Sequence, residues 1–298
     1  MKRLSVVMVF LTWFAAPASA DLETGVAAYN RGDYATALKE LKPLAERGMA
    51  PAQFNLGVMY NFGEGVPQDD KEALRWYRLA AQQGNALAQV NLGFMYDTGK
   101  GIPQDDKEAL RWYRLAAEQL NALARFNLGV MYDTGRGVPQ DHKEALRLYR
   151  LAAEQGNALA QVNLGRKYAI GQGVPQDYDE ALRWYHLSAA QGDSFAQSNI
   201  GDMYFFGQGV PQDDKEALRW YRLAAEQGHP RAQFILGSRY ASGDGVPKDH
   251  VQAYMWLSLA AAQGLKKASD ARDLAAGQMS QSQLEEAQRL SREWKSKK

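Results

Sequence analysis

Hydrophobic and polar positions along this chain form a pattern of 36 residues that occurs six times. The first copy runs from Ala52 to Leu87, and no later copy contains an insertion. The later copies begin at Ala88, Ala124, Ala160, Ala196 and Ala232. Because one copy of this length cannot bury its apolar side alone, the pattern predicts six units that stack and share a continuous core.

The first helix of each copy is predicted from apolar residues at helical spacing. Ala52, Leu56, Met59 and Tyr60 fall on one side of a helical wheel, which we assign to the core. Gly57 interrupts the same helix, where alanine would be favoured by about 0.5–1 kcal/mol. We therefore expect a neighbouring helix to approach closely at this glycine.

The second helix is predicted from its two ends. It begins at Asp69, and Glu72 follows three positions later, which predicts a reciprocal capping box in which each side chain accepts the other residue's backbone N–H. It ends at Gly84, where we expect a positive φ. The second copy has Leu120 at that position, and a left-handed backbone there should cost about 1 kcal/mol relative to glycine.

The two helices are separated by a loop with the sequence Gly-x-Gly-Val/Ile-Pro-Gln/Lys-Asp. The glycines permit a chain reversal, and proline lacks an N–H and disfavours helix before it. A glycine-rich loop can also hold phosphate, but here no Lys-Ser/Thr follows and no predicted strand precedes. We therefore interpret the loop as a structural turn.

Tryptophan recurs at one position of the second helix. The residues are Trp76, Trp112, Trp184, Trp220 and Trp256. Because such a ring can bury about 150–250 Å², we predict that these residues lie in the core. The alternative is a ladder of rings that stack on sugars. On the opposite side, Lys71, Arg75 and Arg78 indicate a solvated surface.

Residues 1–20 differ in kind from the rest of the chain. Lys2 and Arg3 precede a short apolar run, and an Ala-Ser-Ala sequence ends at Ala20. The run is too short to span a bilayer, so we predict a cleavable export signal that is cut after Ala20, rather than an uncleaved anchor. We expect a periplasmic or secreted protein, without membrane insertion after cleavage.

Shorter helical segments flank the six copies. Residues 21–51 are predicted to form an N-terminal capping hairpin, residues 52–267 the six repeats and residues 268–298 the C-terminal capping helices. Within the last segment, Ser280 and Gln283 have the spacing of a further capping box.

Charge and cysteine content exclude several classes of function. The chain has 35 Lys and Arg against 34 Asp and Glu, mixed along every copy, so no basic surface for nucleic acid is predicted. There are no cysteines, which excludes disulfides, thiolate metal sites and a cysteine nucleophile.

No constellation in the sequence indicates catalysis. His142 and His250 share a repeat position, whereas His186 and His229 do not, so the histidines predict no metal site. The chain has no Ser-x-x-Lys, Gly-x-Ser-x-Gly or His-Glu-x-x-His motif. We therefore expect no enzyme activity, no cofactor and no metal.

Candidate binding residues lie on the side of the first helix opposite the core stripe. That side holds Phe54, Val58 and Asn61 in the first copy and changes from copy to copy. First helices of stacked hairpins line the concave surface on which such arrays bind, although neutral drift on a solvated face is the alternative. The candidate partner-binding residues are Phe94, Arg166, Lys167, Asp202, Phe205, Phe206, Ser238 and Arg239.

Over about residues 52 to 267, the chain resembles the Sel-one-like (Sel1-like) repeat, which is related to the tetratricopeptide repeat. The matching residues of the first copy are Gly57, Gly63, Gly65, Pro67, Ala73, Trp76, Ala80, Ala81 and Gly84. This resemblance implies an all-α fold, a right-handed superhelical α/α solenoid of stacked helical hairpins. It also implies an adaptor role, often in envelope complexes, in signalling or in exported bacterial proteins that meet host factors.

Some exported members of that family are rich in cysteine and are linked with penicillin binding or hydrolysis. Because this chain has no cysteine, we do not extend that activity to it. We expect a monomeric, non-enzymatic exported scaffold that binds a protein or peptide partner through its concave face, as an adaptor or regulator in the bacterial envelope. The alternatives are an envelope hydrolase or binder of cell-wall or β-lactam-like ligands, and a secreted host-interaction factor.

Overall fold

We describe the protein from a computed structural model, which covers residues 21–296. The predicted export signal, residues 1–20, lies outside the described residues, so it stays a prediction. The chain divides into two compact units, with the boundary between Ala152 and Ala153.

Helices account for all regular secondary structure between residues 21 and 296, and no strand occurs in that range. The helices are α1 (21–30), α2 (Tyr34–Glu46), α3 (Ala50–Phe62), α4 (Asp70–Gln82), α5 (Ala86–Thr98), α6 (Asp106–Glu118), α7 (Ala122–Thr134), α8 (His142–Ala153), α9 (Ala158–Ile170), α10 (Tyr178–Ala190), α11 (Ser194–Phe206), α12 (Asp214–Glu226), α13 (Pro230–Ser242), α14 (His250–Ala262), α15 (Lys266–Ala276) and α16 (Gln281–Ser296).

Consecutive helices pack against one another within each unit. In the first unit this order runs from α2 to α7, and in the second it runs from α9 to α15, with α16 against α14. Each repeat copy supplies one helical hairpin, so the predicted all-α solenoid fold is confirmed.

The second helix of each repeat is capped in a different way from the one predicted. Asp69 accepts from the backbone N–H groups of Lys71 and Glu72, at 2.9 and 3.1 Å. Its own N–H donates to the carbonyl oxygen of Tyr60 at 2.9 Å, and Glu72 pairs with Arg75. The reciprocal half of the predicted box is therefore wrong, because the Asp69 N–H already joins this helix to the preceding one. Ser280 and Gln283 do form a complete box.

The ends of these helices confirm the predicted left-handed turn. Gly84 has a φ of 86°, and its N–H donates to the carbonyl oxygen of Ala81. Leu120 keeps the same geometry with a φ of 65°, and it is the one residue other than glycine with a positive φ in the described range. The leucine therefore adopts a backbone conformation that its Cβ disfavours.

The glycine within each first helix does allow a close approach. A Cβ on Gly57 would lie 2.7 Å from the ring of Tyr77 on the partner helix of the same hairpin. A Cβ on Gly93 would meet Tyr113 at the same distance, and Gly237 faces Leu257 in the last repeat. The glycine, which has no side chain, thus makes room for the residue directly after the recurrent tryptophan on the partner helix.

The recurrent tryptophans lie in the core, as predicted, with one exception. Trp76, Trp112, Trp184 and Trp256 are buried, whereas Trp220 is half-buried and contacts His186 edge-on at 5.4 Å. Arginines cover several of these rings from the solvent side, as Arg75 does over Trp76 with 4.1 Å from Cζ to the ring centroid. The rings are therefore packing residues, and a ladder of exposed stacking platforms is excluded for the four buried ones.

A ladder of buried glutamines, which was not predicted from the sequence, joins the first helix of four repeats to the helix before it. The Gln53 side chain donates to the carbonyl oxygen of Ala45 at 3.1 Å and accepts from the Gln83 amide at 2.8 Å. The same two bonds recur at Gln89, Gln161 and Gln233. The third copy has Arg125 at this position.

Candidate functional site

A groove lies in the second unit, where helices α11, α12 and α13 meet. Its volume is about 260 Å³. It brings together five of the eight predicted binding residues, namely Asp202, Phe205, Phe206, Ser238 and Arg239. The rest of its lining was not among the predicted residues and consists of Tyr221, Arg231, Phe234 and Ile235. We call this site the α11–α13 groove.

The polar part of the groove is centred on Asp202. The Tyr221 hydroxyl donates to Asp202 Oδ1 at 2.6 Å, and Arg231 pairs with Oδ2. Burial, reinforced by the hydrogen bond to Asp202, raises the pKa of Tyr221. Burial opposes the charge of Arg231, but its bond to Asp202 and the attraction between the two charges raise its pKa overall. The carboxylate is thus held in place by two donors.

The apolar part of the groove is an aromatic pair under a guanidinium group. The rings of Phe205 and Phe206 meet edge-on with their centroids 4.8 Å apart. Arg239 Cζ lies 4.8 Å from the centroid of Phe205, a cation–π arrangement. Arg239 forms no ion pair within the described part of the chain. One positive charge therefore remains uncompensated beside an apolar surface.

The end of helix α11 places the aromatic pair at this surface. Gly207 has a φ of 65°, and its N–H donates to the carbonyl oxygen of Met203, which closes the last turn. Phe205 then packs against the core between α12 and α14, whereas Phe206 remains 60% exposed. The two neighbouring rings therefore have different roles, one structural and one facing solvent.

The other three candidate residues lie outside the groove. Phe94 is half exposed on α5 and Arg166 is exposed on α9. Lys167 is 0% exposed, and its Nζ donates to Gln172 at 2.6 Å. We therefore remove Lys167 from the candidate set, because it occupies the buried position that is Met59 in the first repeat.

The predicted outer side of the first helix is also wrong at two positions. The ring of Phe54 lies 6.0 Å from that of Tyr77, and both Phe54 and Val58 pack against the core between α4 and α5. The equivalent Val90 is buried. The reason is that the first helix packs against two neighbours, its own partner helix and the preceding helix, so little of its surface is left for solvent.

The groove places a few polar groups on an apolar surface. Among the described residues, no group of three His, Asp or Glu side chains is placed to hold a metal ion. None of the helices in that range combines the length and apolar character needed to cross a lipid bilayer. What the groove offers is an apolar surface, one oriented carboxylate and one unpaired cation.

Comparison with known families agrees with this architecture. The Sel1 repeat profile matches residues 50–85, 86–119, 122–157, 158–193, 194–229 and 230–265, which together exceed half of the chain. The chain belongs to the Sel1 repeat family. Sel1 repeats generally mediate protein–protein interactions, and their fold is generally non-catalytic.

Solved structures of other Sel1 repeat proteins resemble it to different degrees. A Sel1 repeat protein from Oxalobacter formigenes is 36% identical, with 80% of this chain and 96% of that protein covered and a TM-score of 0.77. A protective antigen present in uropathogenic Escherichia coli strains is 26% identical over 95% and 93% of the two chains, with a TM-score of 0.46. An immunity protein from Pseudomonas aeruginosa is 20% identical over 73% and 82%, with a TM-score of 0.50, a likeness of fold alone. No curated protein matches the chain.

Proposed function

We propose that this Sel1 repeat protein is a non-enzymatic, exported scaffold that binds an extended segment of a partner protein in the α11–α13 groove. The observation that carries the proposal is the uncompensated Arg239 guanidinium next to the exposed ring of Phe206. A segment with an aromatic or large aliphatic side chain beside an aspartate or glutamate would satisfy both features.

The apolar lining supplies the anchor for such a segment. Binding energy at protein interfaces is concentrated in a few aromatic and arginine residues that become desolvated. Phe206 and Arg239 are residues of this kind, and Phe234 and Ile235 extend the apolar wall. The partner's side chain would cover Phe206 and displace water from the groove.

Charge selects the sequence next to that anchor. Asp202 is already paired with Arg231 and hydrogen-bonded to Tyr221, so its charge is compensated. Arg239 is not paired within the described residues. A carboxylate of the partner would therefore find a cation, whereas a lysine or arginine would be repelled.

Peptide display with a random library tests this proposal. We expect the wild type to enrich peptides in which Phe, Tyr, Trp or Leu stands next to Asp or Glu. The variant Arg239→Glu should reverse the preference towards Lys and Arg. The same selection by the wild type and Arg239→Glu, or no enrichment by the wild type, would contradict the proposal.

A matched control reverses a charge on α12, the helix that precedes α13. Arg219 is exposed, pairs with Glu216 and lies over the ring of Trp220. We expect Arg219→Glu to select the same peptides as the wild type. A change of preference with this variant would mean that long-range charge, rather than the groove, determines the selection.

Export is tested separately by the mass of the mature protein. Residues 1–20 carry the pattern of an export signal, and a chain without cysteine does not depend on disulfides for stability in an oxidising compartment. We expect the periplasmic or secreted fraction to contain a chain that begins at Asp21. Recovery of the uncleaved chain in the cytoplasmic fraction would contradict the export half of the proposal.

A further inference from the structure

A second candidate site lies in the first unit, in the third repeat, where two residues depart from the repeat pattern. A pocket of about 310 Å³ is lined by residues of α6, α7 and α8. Leu148 stands at the tryptophan position and Arg125 at the position of the buried glutamine ladder. Both of these residues line the pocket.

The missing indole gives the pocket its space. In the second repeat, Trp112 packs against the core that contains Leu92 and Met95. Leu148 lies at the equivalent place against Leu128 and Met131, but it has no ring to fill the volume in front of it. The smaller side chain therefore leaves a pocket with an apolar floor at the position that tryptophan occupies in the other repeats.

The arginine in front of this position pairs with a glutamate whether or not the ring is present. Arg111 lies over the ring of Trp112, with 5.0 Å from Cζ to the centroid, and also pairs with Glu108 at 3.3 Å. Its equivalent Arg147 has no ring beneath it and makes two hydrogen bonds with Glu144, at 2.8 and 2.7 Å. The bonds to Glu144 raise the pKa of Arg147. Arg147 and Glu144 thus form one wall of the pocket, and their opposite charges compensate each other.

Arg125 brings a charge to a position that is neutral in the other repeats. A guanidinium group has donors but no acceptor, so it cannot take the place of the glutamine in accepting an amide N–H. The Arg125 side chain makes no ion pair within the described residues, and Arg114 beside it donates to the neutral hydroxyl of Tyr132 at 2.8 Å. Arg114, Arg125 and the carboxylate of Glu118 therefore line the pocket outside any ion pair in the described residues, with a net charge of one positive.

We propose that this pocket binds a singly charged carboxylate that is attached to a small apolar group. Arg125 and Arg114 pair with the carboxylate, and Leu128, Leu148 and Leu151 contact the apolar group. The inference does not depend on the function proposed for the α11–α13 groove, since it concerns other residues in the other unit.

The charge of the lining selects the type of anion. Three arginines and two glutamates line the pocket, so one positive charge is left over. A carboxylate carries one negative charge, whereas a phosphate group carries about 1.5 to 2 at neutral pH and would meet Glu118 and Glu144 at close range. A carboxylate therefore matches the pocket better than phosphate.

The test uses N-acetyl-L-leucine as the probe and methyl NMR of leucine-labelled, full-length mature protein as the readout. We expect saturable shifts of the Leu128 and Leu151 methyl signals with a Kd in the millimolar range. N-acetyl-L-leucinamide, which lacks the charge, and inorganic phosphate should bind at least about tenfold more weakly. Absence of saturable shifts with the acid, or equal binding of the amide, would overturn the proposal.

Two variants restore the residue that the other repeats carry, so both should fold. Arg125→Gln removes the charge, and Leu148→Trp fills the space. Each should weaken binding of N-acetyl-L-leucine by about tenfold or more. Undiminished binding by either variant would refute the proposed site, because neither the charge nor the space would then be needed.

A surface variant in the same unit controls for net charge. Arg111→Gln also removes one guanidinium group, but Arg111 does not line the pocket. We expect it to bind the acid as the wild type does. A loss of binding equal to that of Arg125→Gln would show that net charge, rather than the pocket, determines binding.

A five-residue peptide ending in a leucine carboxylate separates two sources of ligand. If it binds as well as the free acid, the ligand is a protein chain end, and if it does not, the ligand is a free small acid.

Discussion

The third-repeat pocket and the α11–α13 groove depart from the same repeat pattern in opposite ways. In the pocket, two packing positions change, as tryptophan becomes Leu148 and glutamine becomes Arg125. In the groove, the neighbouring core residues Tyr221 and Leu236 remain buried. The residues that differ from the other repeats lie around them, with Phe206 on the surface. A candidate site thus arises either by removal of a buried side chain or by addition of exposed ones.

The two routes should differ in their effect on stability. Removal of a buried ring sacrifices packing that every other repeat retains, whereas an exposed side chain can be changed with little effect on the core. The pocket should therefore lower the stability of the first unit. Substitution of Phe206 in the groove should have little effect on stability. The following predictions test that contrast.

The largest effect is expected from an exchange at the tryptophan position. Trp112→Leu copies the third repeat into the second and should lower the free energy of unfolding by about 2 kcal/mol, because most of a buried ring is lost. Leu148→Trp should raise it by about 1 kcal/mol, since it fills the pocket. Urea denaturation measures both changes. If Leu148→Trp proves destabilising, the pocket does not have the shape of the missing ring.

The aromatic pair of the groove should separate into a structural and an exposed residue. Phe205→Ala should lower the free energy of unfolding by about 1–2 kcal/mol, because Phe205 packs against the core. Phe206→Ala should change it by less than about 0.5 kcal/mol. Thermal melting of both variants provides the comparison. Equal losses would show that Phe206 also contributes to the core.

A smaller gain in stability is expected at the left-handed turn after α6. Leu120 is 63% exposed and has a φ of 65°, so Leu120→Gly relieves the backbone without removing core packing. We expect a gain of about 1 kcal/mol in the free energy of unfolding. Leu120→Ala retains the Cβ and is the matched control, which should leave the melting temperature close to that of the wild type. A similar gain with alanine would attribute the effect to the exposed side chain.

The smallest effect is a pH dependence near the groove. His229 caps α13, where its Nδ1 accepts from the Ala232 N–H at 3.2 Å, and burial lowers its pKa from the ordinary value of about 6.5. The unfolded chain therefore binds a proton more strongly than the folded one. The stabilisation is complete above about pH 6.5 and is lost as the pH falls through that value towards the folded pKa.

The control for this pH dependence is His229→Asn, which introduces the capping residue used at Asn85. Urea midpoints measured from pH 7.5 to 5 should fall less steeply in the variant than in the wild type. Because His186 is present in both proteins, its own lowered pKa cancels from the difference. Identical slopes would mean that the pKa of His229 is the same in the folded and the unfolded protein.

Much of the local structure was predictable because it depends on neighbours along the chain. The positive φ at Gly84 and Leu120 follows from the position of the helix end, and the close approach at Gly57 follows from a glycine inside a helix. The reciprocal capping box at Asp69 failed for a tertiary reason, since its N–H is used by the preceding helix. The repeat spacing does not show which hydrogen bonds cross between elements.

The candidate sites were predictable in part. Lys167 could have been rejected from the sequence, because it falls at the core position that is Met59 in the first repeat. Arg125 and Leu148 were also visible as departures from the repeat, although they were not singled out. Their 23-residue separation gives no sign that both face one pocket.

The amino-acid sequence by itself determined the period, the paired helices of each repeat and the residues that form the core stripe, because these depend on spacing within a single helix or hairpin. Tertiary structure decided which varied positions are exposed, how Arg231 and Tyr221 orient Asp202, and that a lost ring leaves an open pocket beside two unpaired arginines. The physical reason is that burial and charge compensation depend on side chains contributed by neighbouring repeats. Those contacts are set by packing, and spacing along the chain does not specify them.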